Sequence, residues 1–332
     1  MYSYLSGRKQ RVKIGSVYSN WANVNIGVPQ GSVLGPIIFN IFINDIFLFV
    51  YDTKICNFAD DQSLYAHGKS IDIVVKKLER DVRVVLNWLD NNSLVPNPKK
   101  FQFMLLGTKS KQHLCLNING VTTISTQSVT LLGVIIDWKL TFNMHANMIC
   151  AKANSKVGAI TRLRFKLNTG QKVLLYSSFI LGQFGYCTNV WAFHGKKVQE
   201  RINKIQKRSL RAVYNDFSLD LPQLLLRGNH ATIHVNNIRR LIVKVFKCLN
   251  GEGPEILDNI FRRANVNRNL RINNLLTCPN PHTKSAGLCS FRYRGTMAWN
   301  LLTDYMKDSR NSSVLKIKLK NFTPQCSCMI CI

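Results

Sequence analysis

Ile71, Val75, Leu78, Val82, Val85 and Leu89 recur at spacings of 4, 3, 4, 3 and 4. Only an α-helix with one apolar face satisfies that period over so long a stretch. Ser70 stands where its hydroxyl can cap the first turn, and Asp72 suits the positive end of the helix dipole. Pro96 and Pro98 then close the helical region. A helix of this kind must lay its stripe on something, and the flanking residues read as strands. Arg8 to Ser19 alternates polar and apolar residues. Lys54 to Phe58 and Gln62 to His67 are short runs on either side of Ala59-Asp60-Asp61, the outline of a hairpin with acidic residues at its tip. Phe101 to Leu106 reads as a strand stopped by Gly107, and a second hairpin stretch runs from Leu114 through Asn119-Gly120 to Val134–Ile136.

Beyond about residue 140 the pattern changes to helices. Ile149, Ala153, Val157, Ile160 and Leu163 mark one, Val173 to Leu181 another, and Lys197 to Tyr214 a third. The fold expected is therefore α+β: a small mixed sheet with flanking helices over residues 1–140, then a mostly helical half. The finer division places a helical domain at 141–225, a basic extension at 226–322 and a cysteine-containing tail at 323–332. Arg262 to Arg294 is basic and rich in Asn, with no apolar period, and reads as loop or a short appended module.

In the third helix Val198, Ile202 and Ile205 form an apolar side, while Lys197, Arg201, Lys204, Arg208 and Arg211 recur at spacings of 4, 3, 4 and 3. A charge run is ordinarily a solvated face. Here only Glu200 opposes it, and the whole chain carries 45 Lys and Arg against 17 Asp and Glu, a net charge of +28. An excess of that size points to a polyanionic partner, and the stripe reads as a surface that follows a phosphate backbone without reading sequence. The apolar stretch from Ile37 to Tyr51 is broken by Asn40, Asn44 and Asp45 and is too short to span a bilayer. There is no secretory leader pattern at the start, and the ten cysteines show no paired framework. The expectation is a reduced intracellular protein of the nucleus or cytoplasm, neither secreted nor in a membrane. Cys326, Cys328 and Cys331 lack a nearby fourth ligand and read as an incidental tail rather than a zinc knuckle.

Two features can carry chemistry. Adjacent carboxylates in a tight turn cannot both face a core, because burying unpaired charge is costly. Most such pairs are solvated turns or caps; their chemical use is to hold divalent cations shared with substrate phosphates. The second feature is Gly27-Val28-Pro29-Gln30-Gly31-Ser32-Val33-Leu34-Gly35-Pro36. Pro and Gly fix a bend, Gly31 permits close backbone approach, and the Gln30 amide can donate and accept. The same residues also read as a plain turn before a buried helix.

That loop, the Ile-Phe-Asn-Ile-Phe-Ile-Asn-Asp run of residues 38–45 after it, and then Phe58-Ala59-Asp60-Asp61, resemble in order and spacing the reverse transcriptase of LINE-type (non-LTR, jockey-like) retrotransposons. The likeness continues through Leu86–Leu89, Asn97 to Lys100 and Met104, the Leu131-Leu132-Gly133-Val134 run, Tyr176 to Tyr214, and Phe291 to Asn300. It reaches to about Phe322. It implies a partial right-hand polymerase palm, a helical thumb and a C-terminal region. It implies an RNA-directed DNA polymerase that uses Mg²⁺ or Mn²⁺, with RNA template, DNA primer or target and deoxynucleoside triphosphates as partners. Carried over residue by residue, Asp60 ligates the metals and Asp61 supports it. Pro29, Gln30, Gly31 and Ser32 line the nucleotide and template pocket. Lys100 sits near the incoming triphosphate, and Leu132 and Gly133 support the primer end.

One departure matters. The family places its first catalytic Asp on a strand upstream of the Pro-Gln-Gly loop, and no acidic residue precedes Asp45 here. The resemblance thus implies an N-terminally truncated enzyme with half of its two-metal site, inactive alone and with an exposed sheet edge. The alternative is a non-catalytic nucleic-acid-binding protein derived from such an element.

Overall fold

The structure, a computed structural model, describes residues 2–107, 113–118, 120–193, 195–264, 274–283 and 286–323. It is a mixture of helices and short strands in two compact units. The first comprises Met1–Phe103 with Gln112–Thr126, the second Met104–Lys111 with Gln127–Ile332.

The first unit opens with α1 (Tyr2–Leu5) and a ribbon of four two-residue strands, β1 (Lys9–Gln10), β2 (Lys13–Ile14), β3 (Val17–Tyr18) and β4 (Ala22–Asn23), paired β1 with β4 and β2 with β3. α2 (Gly35–Ile43) and a 3₁₀ turn (Asn44–Leu48) lead into the hairpin β5 (Lys54–Phe58) and β6 (Asp61–Tyr65). α3 (Ile71–Asn91) is the helix that the apolar stripe demands, and the Ser70 hydroxyl accepts from the Ile73 N–H at 3.4 Å. A second hairpin, β7 (Cys115–Ile118) and β8 (Val121–Ile124), completes the unit. α3 is its spine. Val85, Trp88 and Leu89 bury against Ile43 and Ile46, with Ile55 and Leu64 of the first hairpin at the margin. Leu78 buries against Phe103, Leu116 and Ile118.

Two sequence expectations are corrected. There is no mixed sheet among the described residues: every ladder is two-stranded and antiparallel. Turns of a few residues pair neighbours in the chain, whereas a parallel partner needs a long crossover connection. Both outer edges of β5–β6 are therefore unpaired among the described strands. Phe101–Leu106 is not a strand either; Phe103 has one backbone bond, accepting from Thr126 N–H at 2.7 Å, and is held by packing.

The second unit begins with the hairpin β9 (Ser128–Leu131) and β10 (Val134–Asp137). The helices follow: α4 (Asn143–Arg162), α5 (Thr169–Leu175) with a π-helical turn (Tyr176–Leu181), α6 (Thr188–Trp191), α7 (Lys196–Tyr214), α8 (Leu221–Arg227) and α9 (Ile233–Leu249), then α10 (Phe291–Asn300), α11 (Asp304–Lys307) and α12 (Ser312–Leu319). Their apolar faces form one large core in which Tyr176, Phe184, Trp191, Ile202, Ile205, Leu210, Leu241 and Phe246 are fully buried. α10 approaches α9 closely because Gly295 has no side chain: a Cβ there would lie 2.7 Å from the Phe261 ring and 2.8 Å from Val245. No helix among the described residues is long and apolar enough to cross a membrane. The tail with Cys326, Cys328 and Cys331 lies outside the described residues.

Candidate polymerase site and nucleic-acid surface

The β5–β6 register pairs Phe58 with Asp61, so Ala59 and Asp60 alone make the turn. Ala59 has φ 51°, at a loop position that glycine ordinarily fills because a Cβ is strained there. Asp60 and Asp61 are both exposed, and no ion pair or hydrogen bond engages either carboxylate. The base of the hairpin is anchored elsewhere. Asp81 of α3 is buried, and one of its oxygens accepts from the Asp52 N–H at 2.9 Å and the Thr53 N–H at 2.7 Å. Its other oxygen has no partner. The hairpin thus presents two free carboxylates on a fixed stem.

The Gly27–Pro36 loop turns tightly into α2. Gly27 and Gly31 have φ 80° and 81°, and a Cβ on Gly31 would point into open space. The Ser32 hydroxyl braces the loop: it donates to the Pro29 carbonyl at 2.8 Å and accepts from the Gly35 N–H at 3.1 Å and from the Tyr4 hydroxyl. Gly35 is required by closeness, since a Cβ would meet Ser32 Oγ at 3.0 Å and Pro29 O at 3.2 Å. Gln30 is exposed, Pro29 half-buried. Lys100 ends a 3₁₀ turn, Pro98–Lys100, capped by the Asn97 side chain, which accepts from Lys99 N–H at 3.1 Å. Lys100 is exposed, and no ion pair joins it to Asp60 or Asp61.

Leu132 and Gly133 belong to the second unit, where they form the turn of β9–β10 with φ 46° and 78°. The Leu132 carbonyl accepts from the Tyr186 hydroxyl at 2.7 Å. On α7, Lys197, Arg201, Lys204 and Arg208 are exposed on the side opposite the buried Val198, Ile202 and Ile205. Arg201 donates to the Asn147 side chain, and Arg208 to Asn154 at 3.2 Å. Both pairs step seven residues in the same direction, so α4 and α7 run parallel. The acceptors are neutral amides, which leaves the full cationic charge of the stripe. Arg211 stands apart: its guanidinium is half-buried and donates twice to the Leu219 carbonyl, at 3.2 and 3.0 Å.

For a divalent cation, the two carboxylates of Asp60 and Asp61 are the right donor type, being hard oxygens free of competing partners. No group of three or more His, Cys, Asp or Glu side chains that could hold a metal occurs among the described residues. The pair fits as part of the protein's share of a site whose further ligands come from another carboxylate, substrate and water, and falls short of a closed metal cage.

Comparison with known proteins follows the same residues. Residues 6–136 match the family model described as reverse transcriptase (RNA-dependent DNA polymerase). The RNA-directed DNA polymerase from mobile element jockey of Drosophila melanogaster is 26% identical over 296 residues, which cover 84% of this chain and 32% of that protein. Residues 6–136 thus resemble a reverse transcriptase, and most of the chain is similar to the polymerases of LINE-type retrotransposons. The probable RNA-directed DNA polymerase from transposon X-element of the same fly is 26% identical over 216 residues, 62% of this chain and 24% of that protein. A retrovirus-related Pol polyprotein from type-1 retrotransposable element R1 of Nasonia vitripennis is 26% identical over 223 residues, 60% of this chain and 64% of that protein. The chain therefore spans a third or less of the length of the fly relatives. No solved structure matches it.

Sequence reasoning missed three buried side chains of this chain. Asp81 anchors the acidic hairpin. Asp137 accepts from the N–H groups of Lys139, Thr141 and Phe142 at 3.2, 3.0 and 2.6 Å, tying the end of β10 to the start of α4. Gln206 of α7, fully buried, donates to Tyr176 Oη and Ala231 O and accepts from Ile233 N–H, each at 3.0 Å. Asp81 and Gln206 did leave a signal: each is a polar residue at an apolar position of its helix's period.

Proposed function

We propose that this chain is a segment of the RNA-directed DNA polymerase of a non-LTR retrotransposon. In this reading residues 1–140 are part of the palm and 141–225 the thumb. The observation that carries it is the pair of free carboxylates at the tip of the two-residue β5–β6 turn. Asp60 and Asp61 would hold Mg²⁺ or Mn²⁺, which supplies activation of the primer 3′ oxygen and charge neutralisation on the leaving pyrophosphate. Pro29, Gln30, Gly31 and Ser32 shape the floor for nucleotide and template, with Ser32 keeping the bend. Lys100 offers a cation and a proton to the triphosphate. Leu132 and Gly133 support the primer end, and the Lys197, Arg201, Lys204 and Arg208 stripe follows the nucleic-acid backbone, its charge opposed on α7 by Glu200 alone.

A two-metal centre takes carboxylates from two strands. These 332 residues offer one such pair and no acidic residue before Asp45. By themselves they bind divalent metal weakly and do not polymerise. Mn²⁺ binding followed by electron paramagnetic resonance tests the metal role: binding at the tip disappears in Asp60→Asn, Asp61→Asn, and binding that persists unchanged in that double variant refutes it. Primer extension on a primed RNA template tests the inactivity. Incorporation that vanishes with Asp60→Asn would overturn the half-site argument while supporting the polymerase reading. The α7 stripe favours retained nucleic-acid affinity in either case, falling steeply with salt and indifferent to Asp60→Asn.

A further inference from the structure

The ribbon of residues 8–23 plays no part in the functions argued above, yet it is the most unusual surface of the first unit. All residues from Lys9 to Asn23 are exposed, so the ribbon has no core of its own. Its two ladders are only two residues long each. Even so, it holds two large aromatic rings in water: Tyr18 is 45% exposed and Trp21 59%. The Arg11 guanidinium lies 3.9 Å from the Tyr18 ring centroid and 4.6 Å from that of Trp21, and the Lys13 ammonium 5.2 Å from Tyr18.

The register explains why these groups share a face. Lys13 pairs with Tyr18 and Ile14 with Val17. Side chains alternate across a strand, so Arg11, Lys13 and Tyr18 stand on one side, and Val12, Ile14 and Val17 on the other. The first 44 residues contain Arg8, Lys9, Arg11 and Lys13 and no Asp or Glu. Arg8 does not take part in the cationic face. Its guanidinium donates to the carbonyls of Leu5 at 2.9 Å, Gly27 at 2.6 Å and Ile26 at 3.4 Å, which fastens the root of the ribbon to the start of the Gly27–Pro36 loop.

Exposed rings beside unopposed cations are the two components of single-strand binding: a π surface that any base can stack on, and charge for the backbone. We propose that the ribbon is a single-stranded nucleic-acid contact, in which Tyr18 and Trp21 receive stacked bases and Lys9, Arg11 and Lys13 receive the flanking phosphates. Charge complementarity selects the occupant, because a face of this sign attracts a polyanion and repels a basic protein surface. The ribbon's stacking contact is independent of metal chemistry and of the α7 stripe, so it stands whether or not the chain polymerises.

The test uses the full chain and a fluorescently labelled 12-mer of oligo-uridine, with an abasic strand of equal length and charge as its partner, read by anisotropy. Trp21→Ala and Tyr18→Ala are each expected to weaken oligo-uridine binding roughly 5- to 100-fold, the usual range for loss of one stacked base. Both leave the abasic strand unaffected, and Trp21→Phe restores most of the affinity. Arg11→Ala is expected to weaken both strands and to lower the salt slope by about 1. Charge reversal on α7 (Lys197→Glu, Arg201→Glu) weakens both strands equally and leaves the preference for base-bearing strand intact. The proposal is overturned by equal losses on the two strands in Trp21→Ala, by no loss on either, or by an effect of Trp21→Ala confined to phosphatidylserine vesicles.

Discussion

Gln206 is a sharp place to test how the helical unit is held. Its amide is completely buried and makes three hydrogen bonds of 3.0 Å, to Tyr176 Oη, to Ala231 O and from Ile233 N–H. Gln206→Leu keeps the side-chain volume close to native and removes all three. Two of the orphaned groups, the Tyr176 hydroxyl and the Ile233 N–H, lie in fully buried bonds, and the third is part-buried. An unsatisfied buried group costs about 1–3 kcal/mol, so the loss should come to roughly 3–5 kcal/mol. That is a large share of the 5–15 kcal/mol on the order of which domains are stable. Urea unfolding of the full chain, followed by far-UV circular dichroism, reads it as a fall in the midpoint of the helical transition with an unchanged m-value. In a Tyr176→Phe background one orphan is already gone, so the same substitution should cost about 1–3 kcal/mol less. A loss below about 1 kcal/mol in the wild-type background would refute the reasoning, because burial without partners cannot be that cheap. So would identical costs in both backgrounds.

Two further outcomes follow from the geometry. Ala59→Gly relieves the positive φ at the tip of β5–β6 and is expected to stabilise the first unit by up to about 1 kcal/mol, measured by urea unfolding; destabilisation would mean that the turn is not strained. The second concerns pH. His145 and His230 have pKa values held below the ordinary 6.5, His145 by burial and then by the nearby Lys152 charge, His230 by burial. Below pH 6.5 the unfolded chain takes up protons that the folded chain resists, so stability is full above that pH and falls as pH drops through the depressed folded values. The second unit should therefore melt at lower temperature at pH 5.5 than at 7.5, and a His145→Gln, His230→Gln variant should flatten the difference; a flat profile in the wild type would contradict the burial argument.

What was legible in the sequence was local and periodic. The α3 stripe, its Ser70 cap and the two faces of α7 follow from spacing alone, because a helix decides its own buried side. The acidic hairpin was legible too, with a tip one residue shorter than expected, whereas the turn at Leu132-Gly133 was not: that run was read as part of one stretch from Leu114 to Ile136, and the structure divides it into two hairpins. Strand pairing beyond the nearest hairpin was not legible, since it depends on contacts between distant segments, and the expected mixed sheet resolved into separate antiparallel pairs. Phe101–Leu106 misled because an apolar run satisfies a buried loop as well as it satisfies a strand. The resemblance to LINE-type reverse transcriptases came from order and spacing of motifs, which neither charge nor period could supply.

The side chains that sequence reasoning passed over have a common logic. Asp81 stands three residues after Leu78 and four before Val85, within the apolar stripe of α3. Gln206 stands four after Ile202, within that of α7. A polar residue in such a phase is either an error of the period or an internal anchor, and burial with hydrogen bonds to another segment decides for the anchor. Each anchor reaches out of its own helix: Asp81 to the first residues leading into β5, Gln206 to the π-helical turn and to the start of α9. Anchors of this kind explain how exposed groups can stand on strained tips without being loose. Asp60 projects from a turn with a left-handed alanine whose stem is tied by Asp81, and Leu132 from a left-handed turn whose carbonyl is tied by Tyr186. Strain at a tip persists only where the surrounding structure over-determines it. The proposed metal ligands are thus held at a distance, by bonds made at the base of their hairpin, and the proposed primer support by a bond to its own tip from Tyr186; it is at Asp81 and Tyr186 that substitution should disturb the chemistry without touching it.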